Sequence, residues 1–177
     1  MFVNNVGFAL IKRYEESQFQ EVVDLINVNC VTMACLNARL INKMKKRKGK
    51  SAIINLSSLA GINPIPYITL YSSSKAFNRI LSEGLSIEYP EIDILAITPM
   101  HVESGSSNVK KQFNIPTSRE CARDSLKQLQ FREYTSFGYL MHSITGTALL
   151  TFMPKWFLRI VSNVEMKKLI EKYYSKK

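Results

Sequence analysis

The stretch from Ser51 to Lys75, which reads SAIINLSSLAGINPIPYITLYSSSK, constrains the fold more than any other part of the chain. It begins with an apolar, partly β-branched run over residues 52–56, which is typical of a buried strand. Two serines, a glycine and a loop with two prolines follow, and a helix is predicted to begin near Thr69. The stretch therefore predicts a strand, a polar turn and a helix in that order.

Tyr71 and Lys75 are four residues apart on the predicted helix, so the phenol and the ammonium group share one helical face. An ammonium group near a phenol favours the phenolate, which predicts that the pKa of Tyr71 falls below its usual value of about 10. A tyrosine tuned in this way can exchange a proton with a carbonyl or alcohol oxygen near neutral pH. Ser58, at the carboxyl end of the strand, can hydrogen-bond the same oxygen.

The spacing of Tyr71 and Lys75 is weak support by itself, because Tyr173 and Lys177 repeat it in a polar tail with no strand before it. The alternative interpretation is an ordinary helix with an exposed Lys75. The preceding strand, serine pair and proline-containing loop favour the catalytic interpretation of Tyr71 and Lys75.

The composition is that of one globular domain, since 46% of the 177 residues are hydrophobic and 21% are charged. The three cysteines are odd in number and lack a metal-ligand spacing, which favours a reducing compartment. Neither His101 nor His142 has ligand-type neighbours at a suitable spacing. No metal site is predicted.

The net charge of +10 is concentrated in a block at 43–50 and a cluster at 167–177. Basic blocks can bind nucleic acid, but no nucleic-acid-binding motif accompanies them, so no nucleic acid partner is predicted. A solvated helix end, anionic lipid or an acyl-CoA phosphate are the alternatives for the first block.

These motifs resemble the short-chain dehydrogenase/reductase family, whose signature has a serine thirteen residues before Tyr-x-x-x-Lys, as Ser58 stands before Tyr71. The resemblance implies that Tyr71 donates the proton in carbonyl reduction, that Lys75 lowers its pKa and binds the nicotinamide ribose, and that Ser58 polarises the carbonyl. Ile26-Asn27-Val28-Asn29 is similar to the helix segment with the family's fourth catalytic residue, whose carbonyl holds a relay water. Asn29 is assigned to that position, with Asn27 as the competitor.

Two further segments resemble cofactor-binding parts of the family. Residues 1–7 predict the end of a buried strand and resemble the Asn-Asn-Ala-Gly motif, which implies that Asn5 and Gly7 line the adenosine side of the cofactor. Residues 92–97 predict the next strand. The following residues 98–104 resemble the Pro-Gly-x-Val-x-Thr segment that contacts the nicotinamide carboxamide. The contacts assigned there are Pro99, Val102 and Ser104, with Met100 in place of the usual glycine.

The family's Thr-Gly-x-x-x-Gly-x-Gly turn, which cradles the pyrophosphate at a helix N-terminus, does not occur in the sequence. We therefore expect the C-terminal part of a Rossmann-type, doubly wound parallel α/β sheet, with the first βα units, about 90 residues, missing. The cofactor expected is NADP rather than NAD. One alternative is a non-catalytic, truncated family member that acts as a partner subunit, and another is an incomplete gene model of an intact enzyme.

The remaining helices are predicted from apolar periodicity and capping residues. Residues 17–47 predict one long helix or a helix with a break. Residues 117–133 predict a helix that begins at the capping sequence Thr117-Ser118-x-Glu120. Residues 105–116 predict a polar loop, which in the family covers the substrate.

From Phe137 onward the chain becomes densely apolar and aromatic, and we divide it into a partial dinucleotide-binding domain (1–136) and a membrane-associated tail (137–177). His142, Pro154, Lys155 and Arg159 interrupt residues 138–161, which favours an interfacial segment with Trp156 near the headgroups over a spanning helix. The alternative is a buried C-terminal helix or dimer contact.

The tail is similar to the very-long-chain 3-oxoacyl-CoA reductase and 17β-hydroxysteroid dehydrogenase branch of the family. That resemblance implies an endoplasmic reticulum membrane location, with the cytoplasm as the alternative, and an acyl-CoA or steroid ketone as substrate. The family also implies a homodimer that pairs through the Tyr71 helix.

Overall fold

A parallel sheet of four strands in the order β1-β2-β3-β4 forms the centre of the computed structural model, which describes residues 1–105, 110–131 and 133–174. The strands are β1 (Phe2–Asn4), β2 (Ser51–Leu56), β3 (Ile92–Ile97) and β4 (Thr135–Ser136). The predicted strands over 52–56 and 92–97 are confirmed. The short β4 was not predicted, because two residues carry no alternating pattern.

Six helices are described in these ranges, and most of them follow the predicted apolar periodicity. They are α1 (Phe19–Ile26), α2 (Thr32–Lys45), α3 (Thr69–Glu88), α4 (Ser118–Gln128), α5 (Leu140–Phe152) and α6 (Lys155–Tyr174). Five residues of π-helix, Asn27–Val31, join α1 to α2, so the predicted helical region at 17–47 is one helical stretch, Phe19–Lys45, with a π segment in its middle. Short 3-10 turns lie at Tyr14–Glu16, Leu59–Gly61 and Leu129–Phe131.

The core lies on both faces of β2 and β3, because their side chains alternate between the two sides of the sheet. On one face Ile53 and Ile94 pack with Ile41 and Met44 of α2. On the other face Ile54, Leu95 and Ile97 form a second cluster, and the partly buried Leu56 and Leu129 pack against it. The predicted α/β fold with a buried parallel sheet is confirmed.

Buried amides link the layers around the middle of β2. The side-chain oxygen of Asn55 accepts hydrogen bonds from Asn4 of β1 (2.6 Å) and Asn37 of α2 (3.3 Å). The amide nitrogen of Asn55 donates to the hydroxyl of Ser82 on α3 (2.9 Å). Because a buried amide without partners is costly, these bonds fix β1, α2 and α3 relative to β2.

A reciprocal capping box begins α4, as predicted from Thr117-Ser118-x-Glu120. The hydroxyl of Thr117 accepts a hydrogen bond from the amide of Glu120 (3.2 Å), and the carboxylate of Glu120 accepts one from the amide of Thr117 (2.9 Å). Residues 106–109 of the predicted polar loop lie outside the described residues. So do Lys176 and Lys177 of the second basic cluster.

The last two helices expose much apolar surface. The exposed apolar side chains are Leu140, Ile144, Phe152, Met153, Trp156, Phe157, Ile160, Val161 and Val164. On α5, however, His142 and Gly146 are buried. The division at residue 137 stays a prediction.

Within the described ranges, one helical stretch, Phe19–Lys45, is long and apolar enough to cross a membrane. It comprises α1, the π segment and α2. Ile41 and Met44 of this stretch belong to the core beside the sheet. The stretch is therefore weak support for a membrane span, because core helices pass the same length and composition test.

Candidate active site

The predicted site residues gather at the carboxyl edge of the sheet. Because all four strands are parallel, the residues that follow them meet at one edge, which is where α/β sheets bind ligands. Gly7 follows β1, Ser58 follows β2 and Pro99 follows β3. The basic block at 43–50 precedes β2 and lies at the opposite edge, about 20 Å away along the strand. It is therefore not part of this site.

Lys75 is held at the end of β2, and only 5% of its surface is exposed. Its ammonium group donates a hydrogen bond to the carbonyl of Leu56 (2.9 Å). The hydroxyl of Ser57 donates to the backbone carbonyl of Lys75 (2.6 Å). These two bonds attach α3 to β2 and fix the Lys75 ammonium group beside the carboxyl edge.

Asn29 lies at the middle of the π segment and is fully buried, whereas Asn27 is exposed. The side chain of Asn29 accepts a hydrogen bond from the amide of Phe8 (3.0 Å) and donates to the carbonyl of Phe8 (2.9 Å). It also donates to the hydroxyl of Ser74 (2.9 Å). Asn29 therefore connects the segment after β1 with the residue next to Lys75.

Gly7 lies against both of these side chains. A Cβ atom at position 7 would be 3.1 Å from Oδ1 of Asn29 and 3.3 Å from Nζ of Lys75. Contacts this short leave little room for any side chain at that position. Asn5, the other residue assigned to this segment, is exposed.

Tyr71 and Ser58 face each other across the turn after β2. The hydroxyl of Ser58 accepts a hydrogen bond from the amide of Ala60 (3.2 Å). Burial raises the pKa of Tyr71 above its usual value of 10, and the nearby Ser58 hydroxyl, which favours the phenolate, offsets this only in part.

The prediction that Lys75 lowers the pKa of Tyr71 is wrong for this structure. The ammonium group lies over the face of the tyrosine ring, 5.5 Å from its centroid. At this position the effect of the Lys75 charge on the pKa of Tyr71 is smaller than the effect of burying the phenol away from water. The neutral phenol is therefore favoured.

The segment after β3 is tied to the loop after β2. The carbonyl of Pro99 accepts a hydrogen bond from the amide of Leu59 (3.0 Å), next to Ser58. Val102 and Ser104 lie further along the same segment and are half-buried. The assigned residues of the two loops therefore belong to one edge of the sheet.

Sequence reasoning missed Ser57, Ser74 and His142. The hydroxyl of Ser74, besides accepting from Asn29, donates to the carbonyl of Tyr71 (2.7 Å). The two serines adjoin Ser58 and Lys75 in sequence, which is the one signal that could have found them. His142 was considered as a metal ligand and as an interruption of an apolar segment, but not as a partner of the segment after β3.

Burial lowers the pKa of Lys75 from 10.5 to about 8, although the negative charge of the nearby Cys30 thiolate acts in the opposite direction. The unfolded chain therefore binds more protons at this residue between pH 8 and 10.5, and the stability that Lys75 contributes rises with pH across this window. We expect the free energy of unfolding of the wild type to gain up to about 3 kcal/mol relative to Lys75→Met over the window.

Urea denaturation at several pH values checks this prediction. Burial raises the pKa values of Tyr71, Cys30 and Cys121, so these three groups make the folded protein less stable as the pH rises. The comparison with Lys75→Met isolates the contribution of Lys75, because both proteins contain these groups. The exposed Lys43→Met is the matched control and is expected to keep the wild-type pH dependence. Parallel stability curves for wild type and Lys75→Met would contradict the prediction.

Comparison with known proteins shows that the chain is similar to short-chain dehydrogenases. The family model described as short chain dehydrogenase matches residues 1–114. The very-long-chain 3-oxoacyl-CoA reductase of Homo sapiens is 30% identical over 189 aligned positions, which cover 100% of this chain and 58% of that protein. The chain thus spans little more than half the length of this relative.

Two solved structures show the same fold. A 7β-hydroxysteroid dehydrogenase superposes with a TM-score of 0.77 at 19% identity and covers 87% of this chain and 63% of its own. A short-chain dehydrogenase from Sphingobium yanoikuyae in complex with NADPH superposes with a TM-score of 0.68 at 22% identity, covering 86% of this chain and 65% of its own.

Proposed function

Because the chain belongs to the short-chain dehydrogenase family, we propose that it supplies the catalytic part of an NAD(P)H-dependent ketone reductase. The observation that carries this proposal is the joining of Asn29, Ser58, Tyr71 and Lys75 at one edge of the sheet. Asn29 donates to the hydroxyl of Ser74, which in turn donates to the backbone carbonyl of Tyr71. The Lys75 ammonium group lies 5.5 Å from the centre of the Tyr71 ring, and the Ser58 hydroxyl acts on the phenol from the turn after β2. The alternative of an ordinary helix with an exposed lysine does not fit, because only 5% of the Lys75 surface is exposed.

The residues present fit the nicotinamide ribose half of a dinucleotide. The Lys75 ammonium group and the Tyr71 phenol offer two donor groups near each other, which suits the two hydroxyls of a ribose. Gly7 keeps the space beside Lys75 open, since a Cβ atom there would lie 3.3 Å from Nζ. When bound, the dinucleotide supplies the hydride. We assign Asn5, Gly7, Pro99, Val102 and Ser104 to its contacts and NADP as the preferred form.

The chain's own residues would handle the substrate oxygen and its proton. The raised pKa of Tyr71 keeps its phenol protonated at neutral pH, which suits a proton donor to the developing alkoxide. Ser58 would orient the carbonyl oxygen beside the phenol. Lys75, with a pKa of about 8, can replace the proton that Tyr71 gives up, and Asn29 would position a water behind Lys75.

The kinship with 3-oxoacyl-CoA reductases leads us to propose a 3-oxoacyl-CoA as substrate, with a steroid ketone as the alternative. We further propose association with the endoplasmic reticulum membrane through α5 and α6, where Trp156 and Ile160 are exposed beside Lys155 and Arg159. A homodimer is expected through α3, which exposes Phe77, Ile80 and Ile87.

The experiment that tests the reductase proposal is an activity assay on the native protein isolated from its own cells. Oxidation of NADPH and of NADH is followed with a 3-oxoacyl-CoA and with a steroid ketone. We expect oxidation of NADPH with the 3-oxoacyl-CoA. Failure of both cofactors with both ketones would contradict the proposal.

A second candidate is a non-catalytic partner subunit, favoured by the exposed apolar side chains of α3. Cofactor binding by the 177-residue chain separates the two functions, and we expect weak binding or none because the sequence lacks the glycine-rich turn. Tight NADPH binding with turnover by this chain would contradict that expectation. No binding by the native protein, together with stable pairing to a catalytic family member, would favour the partner subunit.

A further inference from the structure

His142 is a buried histidine outside the catalytic group, and it lies on the side of α5 that packs against the domain. None of its surface is exposed. Gly146, one turn later, lies against Phe137, since a Cβ atom there would be 2.5 Å from the Phe137 ring. The Tyr139 ring packs edge-on against the imidazole at a centroid distance of 5.3 Å. This face of α5 therefore packs closely and holds the imidazole in one place.

Both ring nitrogens of His142 contact backbone groups, and the two groups belong to different segments. Nδ1 lies 3.3 Å from the amide nitrogen of Met100, in the segment after β3. Nε2 lies 3.1 Å from the carbonyl oxygen of Asn114, in the loop at 110–116. An amide can only donate and a carbonyl can only accept, so the neutral imidazole with its proton on Nε2 satisfies both contacts.

Thr145, three residues after His142, lies near the same two segments. Its hydroxyl donates to the carbonyl of Met141 (2.6 Å) and lies 3.4 Å from Oδ1 of Asn114 and 3.5 Å from Sδ of Met100. A further link joins the two segments directly, because the amide of Glu103 donates to the carbonyl of Pro116 (2.9 Å). The segment after β3 and the loop are thus joined at two separate points.

We propose that His142 is a positioning residue that holds the segment at 98–104 and the loop at 110–116 in one fixed arrangement beside the active site. The proposal rests on the proposed function in so far as Pro99, Val102 and Ser104 contact the nicotinamide. The hydrogen bond to the Met100 amide fixes the backbone between Pro99 and Val102. The bond to Asn114 sets the distance between this backbone and the loop.

Protonation of His142 would disrupt the arrangement, because an Nδ1–H group would then face the Met100 N–H. The titratable groups that face the imidazole are His101, from the segment after β3, and Tyr139, from the start of α5; the loop presents the Asn114 carbonyl. Burial lowers the pKa of His142 from 6.5, so the neutral form is the one present at neutral pH. Loss of the contact is therefore confined to acidic solution.

Three substitutions separate the two contacts. His142→Asn places an amide oxygen near the position of Nδ1 and keeps an acceptor for Met100. His142→Gln reaches the position of Nε2 and keeps a donor for Asn114. His142→Phe keeps the ring that packs against Tyr139 and removes both contacts. Tyr14→Phe, at an exposed position before α1, is the control, because it lies outside both joined segments.

The first measurement is nuclear magnetic resonance of the 177-residue chain and needs no activity. We expect the nitrogen shifts of His142 to report an unprotonated Nδ1 and a protonated Nε2. Hydrogen exchange of the Met100 amide should be about tenfold faster in His142→Phe and His142→Gln than in the wild type, and unchanged in His142→Asn and Tyr14→Phe. A protonated Nδ1, or equal exchange in all variants, would overturn the proposal.

The second measurement is the KM for NADPH of the native protein and its variants. We expect a rise of about tenfold in His142→Phe and His142→Gln with little change in kcat, and a value near that of the wild type in His142→Asn. The wild-type KM should rise in acidic solution, and that of His142→Asn should not. Equal KM values and pH profiles would overturn the positioning role. If the proposed function is wrong, the wild type will oxidise no NADPH, which is a different result. The hydrogen-exchange measurement would then still decide whether His142 is hydrogen-bonded to the Met100 amide.

Discussion

Replacing Gly61 by alanine is expected to lower the free energy of unfolding by about 3 kcal/mol. Replacing it by valine is expected to lower the free energy of unfolding further. A Cβ atom at position 61 would lie 2.6 Å from the carbonyl carbon of Lys75 and 2.8 Å from the amide nitrogen of Ala76. Both atoms belong to the backbone of α3, which cannot move aside as a flexible side chain can. The turn after β2 and α3 would have to separate.

Urea denaturation of the purified chain measures this effect, and Gly84→Ala provides the matched control. Gly84 lies in α3 as well, but a Cβ atom there would meet nothing within 4 Å. Because glycine weakens a helix interior, Gly84→Ala is expected to stabilise the chain by about 0.5–1 kcal/mol. If Gly61→Ala unfolded at the wild-type urea concentration, the close packing of the turn against α3 would be disproved.

Replacing Tyr71 by phenylalanine is expected to lower the kcat for ketone reduction about 1,000-fold in the native protein. The phenylalanine ring fills the same space beside Lys75 but has no proton to donate to the substrate oxygen. Stability should change little, because the phenylalanine ring keeps the packing of the tyrosine ring and only one hydroxyl is removed. The measurement is NADPH oxidation at saturating 3-oxoacyl-CoA.

Tyr14→Phe is the control for this substitution, because it removes the same hydroxyl from a tyrosine that is 61% exposed. It is expected to leave kcat unchanged. A Tyr71→Phe enzyme with kcat within tenfold of the wild type would show that another group donates the proton. The reductase proposal would then need a different catalytic residue at this edge of the sheet.

The strands and helices within and around the stretch at 51–75 could be predicted from the sequence because local patterns determine them. The apolar run over 92–97 became β3 at those residues, and Thr117 with Glu120 formed the expected cap. By contrast, Asn55 stands within an apolar run, and nothing in its neighbourhood indicates that Asn4, Asn37 and Ser82 supply its partners. Those partners come from distant parts of the chain.

The candidate site shows the same division between local and non-local information. Ser58, Tyr71 and Lys75 could be assigned from their spacing together with the family resemblance. The pKa of Tyr71 could not, because it depends on how deeply the phenol is buried and on where the Lys75 ammonium group lies relative to the ring. The role of His142 also depends on two backbone groups, at Met100 and Asn114, that are far from it in sequence.

The π segment between α1 and α2 restricts how the length of this part of the chain can change. A π-helix contains about one extra residue relative to an α-helix of equal height, and each residue of an α-helix turns the chain by about 100°. Deleting one residue from Asn27–Val31 would let a regular α-helix form with little rotation of α1 relative to α2, whereas a deletion within α1 would rotate the residues before it by that angle. Leu25, which is fully buried, would stay on the core side, but the wide turn that brings Asn29 to Phe8 and Ser74 would be lost. The segment therefore absorbs the one extra residue that places Asn29 beside its partners, and it accepts changes of residue type at exposed positions such as Asn27.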